Sequence, residues 1–156
     1  MGRDIVLGLG NILNHDEGVG VHALAALEAG LGPREGVELV DGGTMGLSLL
    51  QLVEDCDHLL ILDAVNAGEL PGTLVELDCD EISLYTGVKL SQHQVTFQEV
   101  LGLAKLRGKL PTHLYLIGVQ PADLSVGVGL SETVAEVMPR VVVRAADVLR
   151  GWGLVV

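Results

Sequence analysis

The chain has 156 residues, 49% of them apolar and only 3% aromatic, so it is long enough for one domain whose core must be Leu, Val, Ile and Ala. A formal net charge of −12 argues against sequence-independent binding to nucleic acid or to an anionic membrane. No apolar run approaches the roughly 20 residues of a bilayer span. Cys56 and Cys79 are far apart with no CxxC spacing, and Met1-Gly2-Arg3-Asp4 leads straight into a strand pattern without a signal-peptide signature, which together predict a cytoplasmic protein with ordinary thiols.

Ile5-Val6-Leu7 is a short apolar run of the kind found in strands buried on both faces. Gly8 and Gly10 follow, where the backbone can turn sharply and approach a neighbour closely. A helix is predicted from Asp16 to Leu31, with Val19, Ala23, Ala26 and Leu27 on one face and Gly30 and Gly32-Pro33 ending it. Asp16 and Glu17 open that helix, where its dipole favours a carboxylate. They also fall at the carboxyl edge of the sheet, where open α/β folds bind ligands. Val37–Val40 reads as strand two, closing on the tight loop Asp41-Gly42-Gly43-Thr44. Met45–Asp55 reads as helix two, with Met45, Leu49, Leu52 and Val53 inward.

Leu59–Leu62 is a buried strand with Asp63 at its carboxyl end. After a loop over Asn66–Gly72, Thr73–Leu77 makes a further strand. Too little chain separates these two for a parallel crossover, so the second is expected to be antiparallel. Asp78–Gln92 is irregular. Helix three covers Val95–Arg107 with Phe97, Val100, Leu101 and Ala104 on one face, and strand five covers Thr112–Val119. Ser131 is a good N-cap for a last helix that carries Val134, Val137, Met138, Val141, Ala145 and Leu149 inward and should kink at Pro139. The expected fold is a single α/β domain over residues 1–156. It is a three-layer sandwich around a five-stranded, mostly parallel twisted sheet of order 2-1-3-5-4, with strand four antiparallel and helices on both faces.

Several chemistries are absent. There is no HExxH zinc motif, no GxSxG elbow and no GxxxxGK[ST] phosphate loop. Gly8-Leu9-Gly10 follows a strand and Asp41 ends the next, as in a dinucleotide fold, but Leu13 stands where the third glycine belongs. Acids near that loop would also repel a pyrophosphate. What remains is Glu17, Asp63 and His93. If strands one and three are neighbours, all three fall at one sheet edge. Two oxygens and one imidazole nitrogen suit nickel, zinc or cobalt, and three protein ligands leave positions open for water or substrate. Each residue also has a plainer reading: Glu17 as a helix-dipole partner, Asp63 as a loop cap, His93 as a surface histidine. His15 could replace or supplement His93. His22, His58 and His113 read as structural, and Asp16 as a solvated helix-start acid.

The motifs resemble a known family, the [NiFe]-hydrogenase maturation endopeptidases. The likeness runs nearly end to end, through Gly8-Leu9-Gly10-Asn11, Asp16-Glu17-Gly18-Val19-Gly20, Asp41-Gly42-Gly43-Thr44, Asp63-Ala64, Pro71-Gly72-Thr73, Ser91-Gln92-His93-Gln94, Gly118-Val119-Gln120-Pro121 and Gly129-Leu130-Ser131. The resemblance implies an endopeptidase that removes the C-terminal extension of the hydrogenase large-subunit precursor after nickel insertion. It implies metal binding by Glu17, Asp63 and His93, catalytic roles for Glu17 and Asp63, and substrate selection by Asp41, Gly42, Gly43 and Thr44. The nickel would be carried by the substrate, with zinc or cadmium able to occupy the same site, and the protein would be a monomer. Three mechanisms stay open: nickel as the recognition signal, a metal that polarises the carbonyl or activates water, or an acid/base pair of carboxylates as in aspartic peptidases. A nickel-sensing maturation chaperone and a nucleotide-binding module are the competing readings.

Overall fold

A computed structural model of the chain describes residues 2–31, 36–78, 81 and 96–154. Five strands, β1 (Arg3–Leu9), β2 (Glu38–Gly43), β3 (Cys56–Ala64), β4 (Leu74–Asp78) and β5 (His113–Val119), form one sheet in the order β2-β1-β3-β5-β4. β1 is parallel to β2 and β3, β3 is parallel to β5, and β4 is antiparallel to β5. Order and direction agree with the expectation. Among the described residues the α-helices are α1 (Val19–Leu31), α2 (Leu50–Glu54), α3 (Phe97–Leu106), α4 (Glu132–Ala135) and α5 (Met138–Gly151).

Strand alternation makes the three layers. Ile5, Leu7, Leu59 and Ile61 face one side and pack with Val53 of α2 and Phe97, Val100, Leu101 and Ala104 of α3. Val6, Leu60 and Leu62 face the other and pack with α1, α4 and α5 through Ala23, Leu27, Val134, Val141 and Leu149. Burying each such Leu or Ile side chain is worth about 1.5–3 kcal/mol. Both faces of the central strands are therefore dry, which is why their sequences read as continuous apolar runs rather than alternating ones.

Several boundaries differ from the sequence reading. The segment at Asp16 is not yet α-helix: His15–Gly18 is a 3-10 turn, and α1 starts at Val19. β2 runs on through Asp41 and Gly42 to Gly43, because Gly8 and Leu9 of β1 still pair with Asp41 and Gly43. Helix two is a 3-10 turn, Gly46–Leu49, continuing into the short α2. Met45 precedes it in the turn after β2 and is exposed rather than inward. The last helix is not one kinked rod. α4 ends at Ala135, and α5 begins at Met138 with Pro139 in its first turn. There the missing proline N–H has no intrahelical partner to lose. Ser131 does cap α4, its Oγ accepting the Val134 N–H at 3.3 Å. Among the described residues no helix is long and apolar enough to cross a membrane.

Candidate active site

Two glycines bring the turn that bears Glu17 down onto the ends of β1 and β3. A Cβ on Gly20 would stand 2.1 Å from the Leu62 carbonyl oxygen and 2.4 Å from that of Leu9. Only glycine lets the start of α1 sit so close to both strand ends. Gly10, at φ 126°, would collide with the Glu17 carbonyl oxygen at 1.9 Å if it carried a Cβ. The loop leaving β1 thus lies directly against the 3-10 turn. That turn in turn packs against β3.

Glu17 is 3% exposed, and its carboxylate accepts the backbone N–H of Asn11 in a close hydrogen bond. Burial pushes the Glu17 carboxyl above its ordinary range, and the Asn11 N–H only partly opposes that. Asp63 is 9% exposed, near the carboxyl end of β3, and its Oδ1 accepts the Ala64 N–H at 2.8 Å. β1 and β3 are neighbours, so the two acids share the carboxyl edge of the sheet as expected. His93 lies outside the described residues.

Asp16 corrects its expectation. It is fully buried, not solvated. Its Oδ2 accepts the N–H groups of Ala122 and Asp123 at 2.8 and 3.0 Å and the Ser131 hydroxyl at 2.7 Å, and its Oδ1 accepts the Ser131 N–H at 2.8 Å. The neighbouring backbone adds to this latch. His15 N–H donates to the Gly127 carbonyl at 3.0 Å, Gly127 N–H to the Leu13 carbonyl at 2.8 Å, and Asp16 N–H to the Asp123 carbonyl at 2.9 Å. His15 itself takes a left-handed φ of 43°, and its Nδ1 donates to the Gly129 carbonyl at 2.8 Å. The loop after β5 is thereby stitched to the turn carrying Glu17. An acid at a helix start reads from sequence as a dipole partner, and nothing local announces that its acceptors would be filled by a segment so far along the chain.

Asp41 is exposed and its Oδ1 accepts the Gly43 N–H at 2.9 Å. With Gly10, Asn11, Ile12, Leu13, Val21, Gly43 and Thr44 it lines a cleft of about 330 Å³. The Gly10 N–H donates to the Gly43 carbonyl at 2.9 Å and ties the two walls together. Gly42 faces away from the cleft, against Leu7, Leu9 and Leu49. Sequence reasoning gave no individual role to Gln120, which is 8% exposed at the end of β5. Its side-chain carbonyl accepts the Ala67 N–H at 2.8 Å and holds the loop after β3. His58 and His113 are structural, as expected, at the opposite edge of the sheet. Their rings stack at 4.4 Å, and His58 Nδ1 meets Asp4 Oδ1 at 2.7 Å.

The family model for hydrogenase maturation proteases matches residues 21–148. The chain belongs to the hydrogenase maturation protease family. Among its relatives, the hydrogenase expression/formation protein HupD of Rhizobium leguminosarum bv. viciae is 44% identical over 156 residues, covering 99% of this chain and 77% of the relative. The hydrogenase 2 maturation protease of Escherichia coli is 37% identical over 153 residues, 97% of this chain and 93% of that one. The solved structure of the hydrogenase maturating endopeptidase HybD from E. coli superposes with a TM-score of 0.88 at 37% identity, covering 97% of this chain and 94% of that chain. The fold derived above is therefore that of a maturation-protease family of hydrolases.

Proposed function

We propose that this family member removes the C-terminal extension of a nickel–iron hydrogenase large-subunit precursor once nickel has been inserted. The observation that supports this most is the pair of buried acids, Glu17 and Asp63, at one sheet edge beside the cleft that Asp41 lines. Nickel is part of the substrate in this reading. It docks on Glu17, Asp63 and His93, so that a precursor without nickel lacks its anchor. Carboxylate oxygens and an imidazole suit such a cation, and zinc or cadmium would compete for the same donors.

The environment of Glu17 favours this coupling. Burial holds its carboxyl above the ordinary range, and an approaching cation offsets that cost by favouring the ionised form. Once ionised, a carboxylate at this edge can accept a proton from the attacking water and return it to the leaving amine, ordinary general acid–base work. Asp41, Gly43 and Thr44, at the end of β2, form the wall along which the scissile segment lies. The test is to incubate nickel-loaded precursor with the protein and weigh the product. Loss of the tail from nickel-loaded precursor, with metal-free precursor left intact, is the expected result. Stable binding without cleavage would replace this reading with that of a nickel-sensing chaperone.

A further inference from the structure

The carboxyl edge of the sheet carries several exposed large apolar side chains. Leu13 and Met45 are 57% and 54% exposed, and Val126 and Val128 are 85% and 75% exposed. Ile12 and Leu47 are exposed as well. All six lie on the segments that leave the carboxyl ends of the parallel strands β1, β2 and β5. Ile12 and Leu13 line the cleft with Asp41, Gly43 and Thr44. The Met45 N–H donates to the Gly42 carbonyl at 3.1 Å, which fixes Met45 in the turn after β2, next to the cleft-lining Thr44. The Gly127 N–H reaches the Leu13 carbonyl at 2.8 Å, which sets Val126 and Val128 beside Leu13. The tips are held firmly: Asn14 Nδ2 donates to the Leu124 carbonyl at 3.2 Å, and His15 grips the Gly129 carbonyl. Preorganised apolar side chains in one belt are the mark of a docking surface rather than of stray exposure.

Charge says what fits there. Residues 10–18, 41–48, 63–73 and 120–131 contain none of the 9 Lys and Arg of the chain. They expose Asp41, Glu69 and Asp123. A partner for this rim is therefore apolar at its centre and basic around it. A peptidase that cuts a tail close to a folded body must also meet that body around the cleft mouth.

We propose that the belt of Ile12, Leu13, Met45, Leu47, Val126 and Val128 docks the folded body of the large-subunit precursor through an apolar patch flanked by basic residues. This rests on the function proposed above. The test compares three proteins for equilibrium binding to purified nickel-loaded precursor, with tail cleavage followed in the same samples. They are the wild type, a Val126→Asp/Val128→Asp variant, and a Leu106→Asp/Val143→Asp variant altered at exposed positions outside the belt. Circular dichroism confirms that both variants fold. The expected result is binding weakened at least about tenfold in the first variant, as when a charge meets an apolar contact, and wild-type binding in the second. Equal binding by all three would overturn the docking surface even if the tail is cut. Weakened binding in the first variant without any cleavage by the wild type would sink the peptidase function and leave the surface standing. A wild type that sediments as a dimer, made monomeric by the first variant, would assign the belt to a second copy and overturn the proposal.

Discussion

Asp16 and Ser131 are 115 residues apart in the chain and meet twice, the Ser131 N–H on Oδ1 at 2.8 Å and its hydroxyl on Oδ2 at 2.7 Å. Every contact to this carboxylate comes from a donor. Asn in its place would turn an NH₂ group toward N–H groups that have no water to fall back on. Asp16→Asn is expected to lower stability by about 2–4 kcal/mol, and Ser131→Ala by about 1–2 kcal/mol through loss of one bond and of the α4 cap. Urea unfolding measures both. A loss below about 0.5 kcal/mol for Asp16→Asn would show that the latch is not a stability element.

Gly20 tests the seating of the turn that bears Glu17. With the Leu62 and Leu9 carbonyl oxygens 2.1 and 2.4 Å from its hypothetical Cβ, Gly20→Ala must lift α1 off the strand ends. We expect at least about 2 kcal/mol of lost stability together with slower precursor processing. Wild-type unfolding and processing would mean that the helix start has room the geometry denies.

The acid limb of the stability curve should carry the Glu76–Arg144 pair. Arg144 donates to Glu76 at 2.8 and 3.0 Å, and Tyr115 O–H adds a bond at 2.9 Å. The guanidinium holds the Glu76 carboxyl below its ordinary value of 4.5. A depressed acid contributes stability that is complete above the unfolded value and disappears as pH falls through the folded one. Arg144→Met should therefore cost about 0.5–1 kcal/mol at pH 7, given the pair's partial exposure, and the gap from wild type should shrink as the pH falls below the ordinary value. A gap independent of pH would assign the loss to packing.

Cys56 is buried, and burial chiefly pushes its thiol up to about 12. The thiolate is the reactive form, so the native protein at pH 8 should leave Cys56 unlabelled by iodoacetamide. In urea the same residue should label fully, as read by peptide mass mapping. Rapid native labelling would show that the start of β3 opens to solvent.

What the sequence displayed, and what it hid, follows from which interactions are local. The apolar runs Ile5–Leu7 and Leu59–Leu62 needed no tertiary information, because a strand covered on both faces has no polar side to show. β4 could be placed antiparallel from loop length alone. The face of α3 was also readable, since Phe97, Val100, Leu101 and Ala104 are all buried. The helical spacing of Met45 from Leu49 and Val53 does not reveal that the helical backbone starts only at Gly46. A proline inside a periodic stretch and a proline starting a new helix, as Pro139 does, look alike in sequence; only the break after Ala135 tells them apart. The placement of both acids at the carboxyl edge of the sheet was legible, Glu17 from a helix start and Asp63 from a strand end. The burial of Asp16 was not, since its partners lie in the loop after β5.

The proposed function depends on Glu17 and Asp63 acting together on nickel-loaded precursor. The most direct measurement is the initial rate of tail removal, followed by mass, for wild type, Glu17→Gln and Asp63→Asn, each checked for an intact fold. Both variants should lose at least about 100-fold in kcat/KM, roughly 2.7 kcal/mol of transition-state stabilisation. Either variant processing within about twofold of the wild-type rate, less than about 0.5 kcal/mol, would contradict the account.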